Sequence, residues 1–354
     1  MDPNTVRVLS LDGGGMRGYL SLKFLQLFIQ QWGINPNELW KYFDVIAGTS
    51  IGGIQALAYA NGGSPDEMEP FFTDKGKWIF TIRSAFDIGF CDASLPSNRP
   101  NLAQKLALVA LDEPLYKSAC PATGYPQDSN YGNVILKQEL TNYFATSTML
   151  DLKTKVVIPA YRYDTQSYVN ISNDSSTGMF VGQNNLISDT ALATSAAPVY
   201  LPSINFGDPT HEYIDGGVYQ NNPAEIALSL GRALKPRSNR YCVLSLGTGI
   251  GEMGFDTTNT ELTAADSSVT RIFKLFDIAS TGGQESVDFN LKMRANHTLE
   301  QLYYYRFQPK LDPSMDTELD NSDASFLSYL ATTATDHFNT DSVDINNFLG
   351  HLTA

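Results

Sequence analysis

Histidine and cysteine are scarce in this chain, with four of the first and three of the second among 354 residues. The cysteines, Cys91, Cys120 and Cys242, are odd in number and lack metal-ligand spacing. A disulfide framework and a cysteine zinc site are therefore set aside, and free thiols in a reducing compartment are the expectation. Basic residues are also short: 24 Lys and Arg against 38 Asp and Glu leave a net charge of −14. Phosphate backbones repel such a surface, so nucleic acid is not an expected partner. Net charge does not exclude an apolar docking patch, so a membrane substrate stays open. No run of 18 apolar residues is available to cross a bilayer. The opening MDPNTVRVLSL has no basic segment followed by an apolar core, so no signal peptide is read. Repeats, heptads and low-complexity tracts are missing as well.

What remains is an ordinary globular composition, 42% apolar and 18% charged. Val6 to Leu11 reads as a strand running into Asp12-Gly13-Gly14-Gly15-Met16-Arg17-Gly18, then an apolar helix from Tyr19 to Trp32 that stops at Gly33. Phe43 to Ala47 reads as a buried strand and Ile51 to Ala60 as a helix of small residues. Further strands are expected at Lys155 to Tyr163, Ser167 to Ser172, Met179 to Val181, Tyr213 to Asp215, Tyr241 to Leu246 and Leu302 to Phe307. Helices are expected at Tyr131 to Phe144, Asp189 to Ala197, Pro223 to Leu234, Ala324 to His337 and Val343 to Leu352. A long helix at Val269 to Met293 is expected to break near Gly282 and Gly283. Ser64 reads as the cap of a helix from Pro65 carrying Met68, Phe71, Phe72, Trp78 and Phe80, which belong to the core or line a lipid-chain tunnel. Ser84 to Gln127, broken by five prolines, reads as a loop-rich insertion with one short helix near Leu102 to Val109, either a lid or irregular surface. Strands alternating with helices predict a mostly parallel sheet covered on both faces, with no linker to divide it.

Three short motifs carry the chemistry. Gly48-Thr49-Ser50-Ile51-Gly52 is GxSxG at a strand-to-helix junction, where a sharp turn lifts a serine hydroxyl off the sheet edge. The Gly13 to Gly18 loop aims backbone N–H groups at one point beside a helix N-terminus, which suits an anion. That anion is either the pyrophosphate of a dinucleotide, since Gly13-x-Gly15-x-x-Gly18 fits that fingerprint, or the oxyanion of an acyl intermediate; a structural turn is the third reading. A dinucleotide site also wants an acid closing the second strand about 20 residues on, and the region Gln30 to Leu39 has a helix end and an NPN turn instead. The third motif is Asp215-Gly216-Gly217, an acid at the end of a short strand. A serine needs a base. His211, His297, His337 and His351 stand in no glycine-bounded turn, which leaves Asp215 as the candidate.

DGGGMRG, GTSIG and DGG, in this order and on these elements, resemble the patatin-like phospholipase family. The likeness extends through FDVIAGTSIGG, the SAAPVYLP segment at Ser195 to Pro202 and LSLGTG at Leu244 to Gly249, so that it covers most of Val6 to Gly249. The resemblance implies an α/β fold, the three-layer α/β/α sandwich with a mostly parallel central sheet. It implies one domain over residues 1–354, its signature core at 6–249 and a mostly helical part at 250–354. It also implies Ser50 as nucleophile, Asp215 as its partner in a dyad without histidine, and the N–H groups of Gly14, Gly15 and Arg17 as oxyanion hole. Gly13, Gly18, Gly48, Gly52, Gly216 and Gly217 would support these. The expected activity is acyl ester hydrolysis of phospholipid or galactolipid at a membrane or micelle surface, with no metal or organic cofactor. Cytoplasmic placement, or secretion by a non-classical route, is expected. The competing readings are a nucleotide-binding module on the GGGMRG loop, a storage or scaffold protein that keeps the fold without the chemistry, and a hydrolase switched on by a ligand or partner.

Overall fold

The computed structural model describes residues 2–80, 133–198, 200–207, 210–251, 268–297 and 300–354. The chain opens with strand β1 (Thr5–Leu11), helix α1 (Gly18–Trp32), strand β2 (Val45–Gly48) and helix α2 (Ile51–Asn61). Short helices α3 (Pro65–Pro70) and α4 (Gly76–Ile79) follow, separated by a widened turn at Phe71–Lys75. Next come α5 (Val134–Phe144), β3 (Lys155–Arg162), β4 (Ser167–Ile171), α6 (Ile187–Ser195), β5 (Ile204–Asn205) and β6 (Glu212–Asp215). Then follow α7 (Ala224–Leu234), β7 (Arg240–Leu246), β8 (Ile250–Gly251) and α8 (Ser268–His297). The chain closes with β9 (Gln301–Phe307), β10 (Lys310–Leu311), α9 (Ala324–Thr340) and α10 (Ser342–Thr353).

Five strands run parallel in the order β3-β2-β1-β7-β9. Central β1 is buried along its whole length, which is why VRVLSL lacks the polar alternation of a half-exposed strand. Its side chains still alternate between two cores. Leu9 and Leu11 face a large core built with α1, α2, α5, α6, α9 and α10; Val6 and Val8 face a smaller one shared with α7 and α8. The sheet is thus the middle of three layers, as the fold reading required. On the larger side Phe24 of α1 stacks on Phe307 of β9 at 4.1 Å and meets Phe338 of α9 edge-on at 5.5 Å. Helix α1 ends where read, at Gly33, which takes φ 72° and returns its N–H to Ile29 and Gln30.

Strand order reverses at β1, which has β2 on one side and β7 on the other. In an open parallel sheet the loops leaving such a switch point splay apart and leave a crevice. Strand β3 adds a second arrangement. Its first half pairs parallel with β2, Val157 opposite Ala47, and its second half pairs antiparallel with β6, Ala160 opposite Asp215. Asp215 therefore lies just beyond the end of β2, where the chain turns after Gly48.

Two expectations about elements need correction. Met179 to Val181 forms only a single bridge, Val181 to Ile171, not a strand. Helix α8 runs through Gly282 and Gly283 unbroken, because buried Gln284, Val287 and Leu291 hold it to the sheet and outweigh the low helix propensity of two glycines. The C-terminal part is helical as read, yet it also supplies β9 to the central sheet. The insertion read at Ser84 to Gln127 lies outside the described residues.

Candidate active site

Ser50 sits between β2 and α2 at φ 56° and ψ −127°, a backbone state costly for any residue with a β-carbon. The surrounding packing holds it there. Its amide donates to the Thr194 hydroxyl at 2.9 Å, and that hydroxyl donates to Pro159 O at 2.6 Å. The turn is tight enough that a β-carbon at Gly48 would stand 2.0 Å from Gly52 O, and one at Gly52 would stand 2.3 Å from Leu11 O. Both positions of the motif are thereby closed to any larger residue.

The glycine loop after β1 comes back over this turn. A β-carbon on Gly13 would lie 3.1 Å from the Ser50 Cβ and 2.2 Å from Asn221 Oδ1. Gly13 O accepts from Thr248 Oγ1 at 2.8 Å and from Asn221 Nδ2 at 3.3 Å, while Gly13 N donates to Asn221 O at 3.2 Å. Gly14 packs on Thr248, Gly15 on the Leu319 carbonyl and Gly18 on Ile51. Met16 N donates to Leu319 O at 2.7 Å, and Arg17 N donates to Gly14 O at 3.1 Å. The three amides expected to receive an oxyanion stand in different local bonds. The Arg17 amide is engaged inside the loop, and the Gly14 and Gly15 amides carry no hydrogen bond among the described residues.

Asp215 ends β6 with its carboxyl buried. Oδ1 accepts from Gly217 N at 2.7 Å, closing the turn Gly216–Val218, and Gly216 fits flat against the Pro159 carbonyl. Oδ2 is buried with no well-aligned donor, and the Ser50 hydroxyl lies against the carboxyl closely enough to favour its charged form. Burial dominates over that contact and over the Gly217 N–H, and pushes the carboxyl up to about 7. A carboxyl in that range is half ionised at neutral pH and accepts a proton readily.

Gly14, Gly15, Arg17, Ser50 and Asp215 all line one cavity. Its remaining wall is mostly apolar, with Met16, Ile54, Phe71, Phe80, Leu136 and Leu201 prominent. Of the aromatics read in the segment after Ser64, Phe71 and Phe80 face this space, whereas Phe72 is core. No histidine lines it among the described residues. His211 pairs with Asp164 at 3.0 Å, His337 with Asp341 at 3.2 Å, and His351 stacks on Tyr303 at 3.7 Å. Among the described residues no helix is long and apolar enough to cross a membrane.

Reading the motifs alone misses the groups that hold them. Thr194, Asn221 and Thr248 carry signals too common to single out: a threonine in a helix of small residues, an asparagine pair and the Thr of LSLGTG. Arg306 is missed too. It lies on β9, donates to Asp12 Oδ2 at 2.5 Å and to Ser245 Oγ at 2.9 Å, and is buried at the root of the glycine loop.

Comparison with known proteins follows the same residues. The family model for patatin-like phospholipases matches residues 9–228. A protein named cGAMP-activated phospholipase from Vibrio cholerae serotype O1 is 31% identical over 229 residues, 64% of this chain and 57% of that protein. Patatin-like protein 2 of Arabidopsis thaliana is 31% identical over 270 residues, 70% of this chain and 60% of that one. Calcium-independent phospholipase A2-gamma of Mus musculus is 25% identical over 337 residues, 92% of this chain but 38% of that one. The chain thus spans little more than half the length of the first of these relatives. With the motif residues gathered on one cavity inside the matched segment, the chain belongs to the patatin-like phospholipase family.

Proposed function

We propose that the chain is a serine lipid acyl hydrolase of phospholipase A or lysophospholipase type, working through Ser50 and Asp215. The observation that carries the reading is the buried Asp215 carboxyl beside the Ser50 hydroxyl, raised to about 7 by desolvation. The unpartnered Gly14 and Gly15 amides lie on the wall of the same apolar cavity. The apolar lining of that cavity suits a fatty acyl chain better than a nucleotide. The glycine loop, moreover, faces Ser50 and lacks the acidic strand end a dinucleotide ribose requires. A storage or scaffold protein has no need of strain at Ser50 or of an orphaned carboxylate oxygen at Asp215.

In this reading Asp215 takes the Ser50 proton as Oγ attacks the ester carbonyl carbon, and the Gly14 and Gly15 N–H groups receive the oxyanion. The intermediate collapses, and the proton passes from Asp215 to the leaving alcohol oxygen, which departs as lysolipid. Water enters, gives a proton to Asp215 and attacks the acyl-serine carbonyl. Collapse of the second intermediate releases the fatty acid and returns the proton to Ser50. The dyad needs no histidine because one carboxyl, raised toward neutrality, does both transfers.

Vesicles of a diacyl phospholipid test this. Wild type is expected to release free fatty acid and lysolipid, and Ser50→Ala to release neither. Equal release by the two proteins would contradict the assignment. Two of the relatives are described by name as phospholipases, one of them cGAMP-activated. Assays with and without a cyclic dinucleotide separate a switched enzyme from one that is active alone.

A further inference from the structure

We propose that Arg306 is a positioning residue for the oxyanion loop, gripping Asp12 and Ser245 so that the Gly14 and Gly15 amides leave β1 aimed at Ser50. The inference rests on the Ser50 and Asp215 reading above, and concerns a residue outside the segment 9–228 that the family model matches.

Asp12 is the last residue before the glycine loop. Its amide extends the ladder of β1 to β7 by donating to Leu246 O at 2.9 Å, which fixes its backbone on one side only. Its side chain turns the other way, to Arg306 Nη2 at 2.5 Å, while Nη1 of the same guanidinium reaches Ser245 Oγ on β7 at 2.9 Å. One planar fork therefore joins three strands, β1, β7 and β9, at the point where the loop departs. Asp12 is fully buried and the Arg306 side chain is 4% exposed.

Stability alone is a poor reason for this pair. Removing two charges from water costs several kcal/mol per ion in typical interiors, and pairing repays it only when the other polar atoms are satisfied too. Here Asp12 Oδ1 and Arg306 Nε are both buried without a partner among the described residues. Burial, opposed by Arg306, pushes the Asp12 carboxyl up to about 6, while the carboxylate holds the guanidinium above its ordinary value. Among the described residues, the other charged or titratable groups that reach this pair are Asp288 and Tyr304, hydrogen-bonded to each other at 3.0 Å. An incompletely satisfied pair retained at a loop root is explained by the geometry it imposes. The rest of the loop is held by neutral bonds, from Thr248 and Asn221 to the Gly13 carbonyl, from Gly13 N to Asn221 O and from Met16 N to Leu319 O.

The test is steady-state hydrolysis of a soluble ester, with rates expressed per active site titrated by a fluorophosphonate, beside a thermal melt of each protein. Arg306→Met is expected to lower kcat per titrated site about 100-fold, the scale of losing an oxyanion donor, with KM changed less than about threefold. Asp12→Asn is expected to act alike, and the double variant Asp12→Asn with Arg306→Met to lose no more than either single one, since the two residues act as a unit. A purely structural role would lower the melting temperature and the number of titratable sites while leaving kcat per site alone, and that result overturns the inference. If Arg306→Met does not fold, Arg306→Lys decides. It keeps the charge but not the fork, so a kcat per site about tenfold down supports the proposal and an unchanged one overturns it. A wild type that the fluorophosphonate does not label overturns both this inference and the reading beneath it. A labelled wild type beside a fully active Arg306→Met overturns this inference alone.

Discussion

The Thr194 hydroxyl accepts a hydrogen bond from the Ser50 amide at 2.9 Å and donates one to the Pro159 carbonyl at 2.6 Å. One buried side chain thus ties the strained turn of β2 to the strand that also positions Asp215. Thr194→Val keeps the shape but leaves a buried N–H and a buried C=O without partners. We expect it to destabilise the protein by about 2–6 kcal/mol and to lower kcat, because each orphaned group costs roughly 1–3 kcal/mol. Thr194→Ser should restore both. Chemical denaturation and ester hydrolysis on the three proteins check this, and wild-type behaviour of the valine variant would contradict it.

In the proposed dyad, the raised Asp215 carboxyl sets the expected dependence on pH. Its folded value near 7 lies above its unfolded value near 3.8, so the folded state binds the proton more tightly. The associated stability is fully present below about pH 4 and is lost as pH rises through about 7. Activity runs the opposite way, since the base must be ionised. kcat/KM is expected to climb between pH 5.5 and 8 through one ionisation near 7. Asp215→Asn should abolish activity and raise the melting temperature at pH 8 relative to wild type. A pH profile flat from 5 to 8 would remove Asp215 as the base.

Much of this was legible before any coordinates, and the reason is local. β1, α1, β2 and α2 announce themselves because a buried parallel strand is continuously apolar and α1 ends on a left-handed glycine. The GxSxG, glycine-loop and DGG residues stand out as short motifs at strand ends, although apart from Gly48 against Gly52 their glycines are crowded by distant groups, Gly14 by Thr248, Gly15 by Leu319 and Gly216 by Pro159. What was hidden depends on distant pairing. Nothing near Arg306 says that it will meet Asp12, 294 positions earlier. Likewise nothing near Gly282 says that Gln284, Val287 and Leu291 will be anchored well enough to carry the helix through.

Gly14 offers a test of the loop itself. A β-carbon there would lie 2.2 Å from Thr248 Oγ1, so Gly14→Ala must push the loop away from Thr248. kcat is expected to fall about 100-fold or more, in line with loss of an oxyanion donor. A β-carbon on Gly14 would also stand 2.6 Å from Thr248 Cβ, so the companion variant Gly14→Ala with Thr248→Gly is the one that clears the contact and should recover part of that loss. No recovery, with the fold intact, would argue against Thr248 as the obstacle.

The cavity wall predicts chain-length selectivity. Ala197 and Ile54 both line the space above Ser50. Ala197→Phe is expected to cut hydrolysis of long-chain esters at least tenfold while sparing a butyrate ester, because the added ring occupies volume an acyl chain needs. Equal loss on both substrates would indicate damage to the dyad rather than to the acyl site.

The most direct measurement is peptide mapping of the covalent adduct formed with a fluorophosphonate. The account predicts one adduct per chain, on Ser50, forming at least about 100-fold more slowly in Asp215→Asn. An adduct on another residue, or labelling of Ser50 at an undiminished rate when Asp215 is replaced, would contradict it.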